Sequence, residues 1–162
     1  MGQLGAAAGG AVKLSDEHAG AGAAAPSAPA PNRVIATWVG DHRFDAGRPG
    51  GPTARIDSDT RTGQSPVDAL LSALGTCTAV DVVDILKKRR TPVSALQVEV
   101  VARRVTTTPR RLSSVLLRYH ITGDGIERDQ ALRAIELAVT KYCSVRDSLR
   151  EDIDVKWELE LG

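Results

Sequence analysis

From Arg33 onward, polar and apolar positions follow first a period of two and then one of 3.6. VIATWVG (34–40) and HRF (42–44) read as short strands around the turn residues Gly40 and Asp41. AGRPGGP (46–52) is a loop, TARID (53–57) a third strand, and DSDTRTGQ (57–64) polar and turn-like. Beyond it, Val67, Ala69, Leu70, Leu71, Ala73, Leu74, Ala79, Val80, Val82, Val83, Ile85 and Leu86 occupy nearly every face of a helical wheel. A helix apolar all round is a central one, enclosed by the rest of the fold. Ser65 suits its N-cap, Pro66 its first position, and Asp68 stands three residues after the cap, where a capping box places its acid. Lys87, Lys88, Arg89 and Arg90 put positive charge at the C-terminal end, which the helix dipole favours, and Pro92 stops it.

Period two then returns. Leu96, Val98, Val100 and Ala102 share one face of ALQVEVVAR, and Val115, Leu117, Tyr119 and Ile121 one face of SSVLLRYHIT. TTTPRR joins them as a hairpin connection longer than the standard two-residue turn. After GDG (123–125), a second helix is predicted from about Ile126 to Tyr142, with Ala131, Ile135, Ala138 and Tyr142 on its inner stripe. Ser144 and Asp147 resemble another capping box opening a short third helix, and Val155, Trp157, Leu159 and Leu161 alternate as a last strand. The order predicts an α+β domain with sheets wrapped on a central helix. It spans residues 33–162; residues 1–32, rich in Ala, Gly, Pro and Ser, read as a flexible N-terminal tail with no part in the chemistry.

Charge and composition narrow the partners. Lys+Arg number 21 and Asp+Glu 20, for a net charge of +1, which gives no electrostatic case for nucleic acid or an anionic membrane. Aromatics at 3% argue against a base-stacking surface. The apolar stretch carries Asp68, Asp81 and Asp84, each costly at bilayer depth, and the N-terminal residues have the pattern of neither a secretory signal nor a myristoylation site. The expectation is a cytoplasmic protein with thiols reduced at rest.

The candidate chemistry lies in two cysteines, Cys77 in the apolar helix and Cys143 before the short third helix. Their separation of 66 residues excludes a CxxC redox motif and a zinc-ligand cluster, and the scattered His18, His42 and His120 offer no metal site. A free cysteine among apolar neighbours is commonly a small core hydrophobe. Here Gly75, Thr76 and Thr78 bracket Cys77 with small or polar residues, leaving room for a backbone or a substrate to approach. Asp81 and Asp84, four and seven residues on, fall on nearly the same helix face. Carboxylates there disfavour a thiolate, so a reactive Cys77 needs a compensating cation.

SPVDALLSALGTCTAVDVVDILKKRR, together with KYCSV around the second cysteine, resembles the OsmC/Ohr family of thiol peroxidases, in its OsmC-like branch. The similarity runs over about residues 33–162. It implies antiparallel sheets about a long central helix, an intertwined homodimer with active sites at the subunit interface, and no cofactor. It further implies that Cys77 attacks an organic hydroperoxide and becomes a sulfenic acid, and that Cys143 resolves it as a disulfide. A dithiol reductant, in some members a lipoylated protein, restores the pair. Walls of Leu and Val would favour organic hydroperoxides and shield the sulfenic acid.

The family's assisting Glu and Arg are less clear in this chain. Val67 stands where the peroxidases place Glu, and Asp68 is one residue later. Nine residues of helix put Asp68 about 13.5 Å and about 180° from Cys77, so it reaches that thiol only from another subunit or else serves as a cap. Arg43, Arg55 and Arg61 all precede the helix, and Arg61 is nearest in sequence. Retention of both cysteines favours the peroxidase. Loss of the Glu favours a non-catalytic relative that binds a hydrophobic small molecule or senses oxidants, and a structural domain with inert thiols is the third option.

Overall fold

A computed structural model describes residues 29–162, and the expected tail lies almost wholly outside the described residues. The described residues form two three-stranded sheets and one long helix. The first holds β1 (Ile35–Trp38), β2 (Arg43–Gly47) and β3 (Thr53–Asp57) in antiparallel order. β2 runs three residues past HRF, because Asp45, Ala46 and Gly47 continue the ladder to Arg55, Ala54 and Thr53. A side chain at Gly47 would put its Cβ 2.4 Å from the Pro52 carbonyl oxygen, so only glycine allows the strand to close on that loop.

The helix α1 (Pro66–Lys88) starts and stops as its sequence predicts. Ser65 Oγ accepts the Asp68 N–H at 3.2 Å, and Asp68 Oδ2 accepts the Ser65 N–H at 3.2 Å and its hydroxyl at 2.7 Å. The expectation of complete enclosure holds on one face within a single chain. Leu74, Val82 and Leu86 are fully buried, whereas Leu70, Val80 and Val83 are exposed. By length and composition α1 could cross a membrane, but here it packs against α2, β4, β3 and the segment around Cys143.

The second sheet contains β4 (Ala95–Arg104), β5 (Leu112–Thr122) and β6 (Asp154–Leu161), with β5 in the centre. Val115, Leu117, Tyr119 and Ile121 of β5 are all buried, as their alternation predicts. β6 pairs with β5 in parallel rather than antiparallel fashion. The reason is connectivity: the chain returns from β5 through helices, and a helical crossover brings a strand back in the same direction.

The second helix departs from expectation at its end. Regular α-helix α2 covers Arg128–Leu137, and Ala138–Tyr142 then form a π-turn closed by the Cys143 N–H on the Ala138 carbonyl at 3.0 Å. The extra residue in that turn rotates the downstream residues about the helix axis. Tyr142, expected on the inner stripe, is 51% exposed, and Cys143 is turned into the core at 3%. A one-turn helix, α3 (Ser144–Asp147), comes next. Its cap is Cys143 rather than Ser144, because the inward thiol reaches the free N–H of Arg146.

Candidate functional site

Cys77 lies halfway along α1 and is partly buried; Cys143 ends the π-turn and is buried. Both are free thiols, and they are neighbours. Burial pushes Cys143 up from 9.0 to about 11, and the neighbouring Cys77 thiol adds to the rise. The Arg146 N–H, donated to Cys143 Sγ at 3.3 Å, acts in the opposite direction but does not win. Cys143 is therefore held as a thiol at neutral pH, beside the sulfur it would have to join.

A buried hydroxyl pair supports this contact. Tyr119 Oη donates to Thr78 Oγ1 at 2.7 Å, and Thr78 donates to the Leu74 and Gly75 carbonyls at 3.2 and 3.0 Å. Both side chains are fully buried, so the bond ties the centre of β5 to the residue immediately after Cys77. Burial drives Tyr119 from 10.0 up to about 12 against the opposing effect of Thr78, and Cys143, Asp81 and Cys77 each add to the rise. Asp81 is raised as well, first by burial and then by Asp84, with Lys88 opposing. Sequence reasoning missed the roles of Tyr119 and Thr78. A tyrosine on the buried face of a strand needs a hydroxyl partner, and that requirement was the available signal.

Asp68 and Arg61 are not joined to the two thiols within one chain. Asp68 is engaged in the capping box and borders a cleft of about 410 Å³ whose walls include Leu71, Gly75, Thr76, Val98 and Val100 but not Cys77. Arg61 sits in a loop organised by Asp57, which sequence reasoning did not single out. The Asp57 carboxylate is buried and accepts the N–H groups of Asp59, Arg61 and Thr62 and the Thr62 hydroxyl. Burial opposes its charge, but these hydrogen bonds prevail and hold it below the usual carboxylate range. Arg43 pairs with Asp41 at 2.9 Å and Arg55 with Asp45 at 2.5 Å. Of the three candidate arginines, Arg61 alone keeps its guanidinium unpaired among the described residues. Among the described residues, no three of His, Cys, Asp and Glu converge on a metal position.

The family model for OsmC-like proteins matches residues 58–158, which include α1, both cysteines and most of the second sheet. The chain belongs to the OsmC-like family. The Escherichia coli K12 protein YhfA is 33% identical over 97 residues, covering 60% of this chain and 72% of YhfA. Solved OsmC-like structures share the fold. An OsmC-like protein from Mycoplasma pneumoniae superposes with a TM-score of 0.69 at 18% identity, over 80% of this chain and 95% of that one. The organic hydroperoxide resistance protein OhrB of Bacillus subtilis gives 0.55 at 16% identity, over 79% and 96%. At these identities the likeness concerns the fold alone. The central helix, the two sheets and the α+β class expected from sequence are thus those of the OsmC-like family.

Proposed function

We propose that this OsmC-like protein is a thiol peroxidase that reduces organic hydroperoxides, with Cys77 attacking and Cys143 resolving. The observation that carries the reading is the contact between the thiols, brought together from 66 residues apart by the π-turn. The Cys77 thiolate attacks the terminal oxygen of ROOH. The S–O bond forms as the O–O bond breaks, giving a sulfenic acid and an alkoxide that is protonated to ROH. The Cys143 thiol then condenses with the sulfenic acid, forming the disulfide and releasing water. A dithiol reductant, of the lipoyl kind in the family reading, returns both thiols. A cleft of about 620 Å³ bounded by Lys141, Cys143, Arg146, Val155 and Trp157 offers it an approach to Cys143. Thiols that must be reduced between turnovers suit the cytoplasm.

The unit of function in this reading is a homodimer. The uncovered face of α1, with Leu70, Val80 and Val83, and the exposed Val34, Ile35, Trp38 and Phe44 of the first sheet supply apolar surface for a second copy. Arg61, with its free guanidinium, is the candidate to steady the thiolate, and Asp68 to act across the interface, each from the partner. The alternative, a non-catalytic protein that binds a hydrophobic small molecule or senses oxidants, rests on Val67 in the family's Glu position and on the apolar cleft beside Asp68.

The test is the rate of free-thiol loss with cumene hydroperoxide in wild type, Cys77→Ser and Cys143→Ser. The peroxidase reading expects both thiols lost in wild type, none in Cys77→Ser, and one, as a trapped sulfenic acid, in Cys143→Ser. Wild-type thiols unaffected by the hydroperoxide would support the alternative.

A further inference from the structure

We infer that Asp81 is the proton donor to the leaving alkoxide, acting from one helical turn beyond Cys77. The inference rests on the peroxidase reading above. Three observations converge on it. Asp81 is four residues after Cys77 on α1, so the side chains lie one above the other on the same face. Side chains of an α-helix lean toward its N-terminus, which carries the Asp81 carboxyl back over the turn that holds Cys77. Asp81, Cys77 and Cys143 all act electrostatically on the same buried Tyr119 hydroxyl, which places all four groups in one neighbourhood. Asp81 is also partly buried and borders a cleft of about 350 Å³, with Asp84, Ile85, Lys88, Leu137 and Tyr142 as further walls. Tyr142 directly precedes Cys143, so the cleft adjoins the π-turn that presents the resolving thiol.

The chemistry needs such a group. An alkoxide is a strongly basic leaving group, and a positioned acid that protonates it as the O–O bond breaks contributes about 10²–10⁴ in rate. Burial and Asp84 both favour the protonated form of Asp81, while Lys88 opposes. In the step, the Asp81 carboxyl proton passes to RO⁻, leaving ROH and a carboxylate that water reprotonates before the next turnover. A protonated Asp81 also removes the repulsion that an ionised carboxylate would exert on the attacking thiolate. Asp68 is held at the helix N-terminus by Ser65, and Asp84 is one further turn from the sulfur and exposed. Asp81 is the carboxyl that combines proximity with partial burial.

The test compares two oxidants that differ in need for a proton. tert-Butyl hydroperoxide releases an alkoxide, whereas peracetic acid releases acetate, a stable anion that needs no acid. Second-order rates of Cys77 oxidation are measured for wild type, Asp81→Asn and Asp81→Glu. Asp81→Asn is expected to slow the alkyl hydroperoxide about 100-fold and peracetic acid less than about threefold, with Asp81→Glu recovering at least about tenfold of the loss. As Asp81 ionises, the wild-type rate with the alkyl hydroperoxide gains less from rising pH than the growing thiolate supply alone would give it, a limb absent from Asp81→Asn. The groups facing Asp81 that shape this limb are Asp84, Lys88 and Arg89 on its helix, Tyr142 across the cleft, and Tyr119 with the two thiols. Equal slowing with both oxidants would show a structural role and overturn the inference. So would unchanged or faster reaction of Asp81→Asn, the result for a bystander charge that merely repels the thiolate. A wild-type Cys77 inert to both oxidants would instead bring down the peroxidase reading, and the inference with it.

Discussion

The Tyr119 hydroxyl donates to Thr78 Oγ1 at 2.7 Å, and neither side chain is accessible to solvent. This bond joins the middle of β5 to α1 one residue beyond Cys77, so it fixes where the helix places its thiol relative to the second sheet. The two partners are unequal. Removing the donor in Tyr119→Phe leaves Thr78 bonded to its own helix carbonyls and is expected to cost about 1 kcal/mol. Removing the acceptor in Thr78→Val strands a buried phenol and should cost about 1–3 kcal/mol. Urea denaturation of both variants and of the double variant checks the order, with the double variant more stable than Thr78→Val alone.

Alkaline pH should weaken the fold through the same neighbourhood. Cys143 is raised from 9.0 to about 11 and Tyr119 from 10.0 to about 12, so the native state holds protons that the unfolded state has released. Stability is therefore fully present below about pH 9 and falls as pH rises through about 9–12, by on the order of 2 kcal/mol for each group. Denaturation midpoints across that range measure the decline. Tyr119→Phe should remove the part lost between about 10 and 12, and a flat profile in wild type would contradict the assignment.

Gly75 tests how closely α1 approaches β4. A Cβ there would stand 2.8 Å from Val100 Cγ2 and 3.9 Å from Val98 Cγ1. Alanine in a helix interior normally gains about 1 kcal/mol over glycine, but overpacking costs about 1–3 kcal/mol, and the stiff valine cannot yield easily. Gly75→Ala is expected to lower the melting temperature, and Val100→Ala in the same chain to restore part of it. A gain in stability from Gly75→Ala alone would show that the strand gives way.

Arg61 offers a comparison among arginines. Arg43 and Arg55 are already paired with aspartates, whereas the Arg61 guanidinium is unpaired among the described residues while its backbone N–H is held by Asp57. If Arg61 steadies the Cys77 thiolate from a partner subunit, Arg61→Ala should slow hydroperoxide reaction about tenfold or more, the rate equivalent of a charge-assisted contact of about 1.4 kcal/mol. Arg43→Ala and Arg55→Ala should change it less. Stopped-flow rates for the three variants decide, and equal rates in all three would remove Arg61 from the site.

How much of this was legible in the sequence depends on how local the governing force is. The cap at Ser65, the start and stop of the apolar helix and the alternation through Val115, Leu117, Tyr119 and Ile121 are set by residues within a few positions of one another, and each agrees with the structure. The pairing of Cys77 with Cys143 came from the resemblance, not from spacing. The departures are all non-local. The parallel register of β6 is a matter of crossover geometry. The π-turn at Ala138–Tyr142 has no residue signature, yet it exchanges Tyr142 for Cys143 in the core. The exposed side of α1 reads as buried because hydropathy records how apolar a helix is, not which of its faces the rest of the chain covers.

The most direct test of the account is the fate of the two sulfurs after one equivalent of cumene hydroperoxide. Intact mass and peptide mapping without reductant should show the loss of two hydrogens and a Cys77–Cys143 bridge within one chain. The bridge should be absent in Cys77→Ser. Undiminished peroxide turnover by Cys77→Ser, or a wild-type protein whose two thiols remain free while peroxide is consumed, would contradict it.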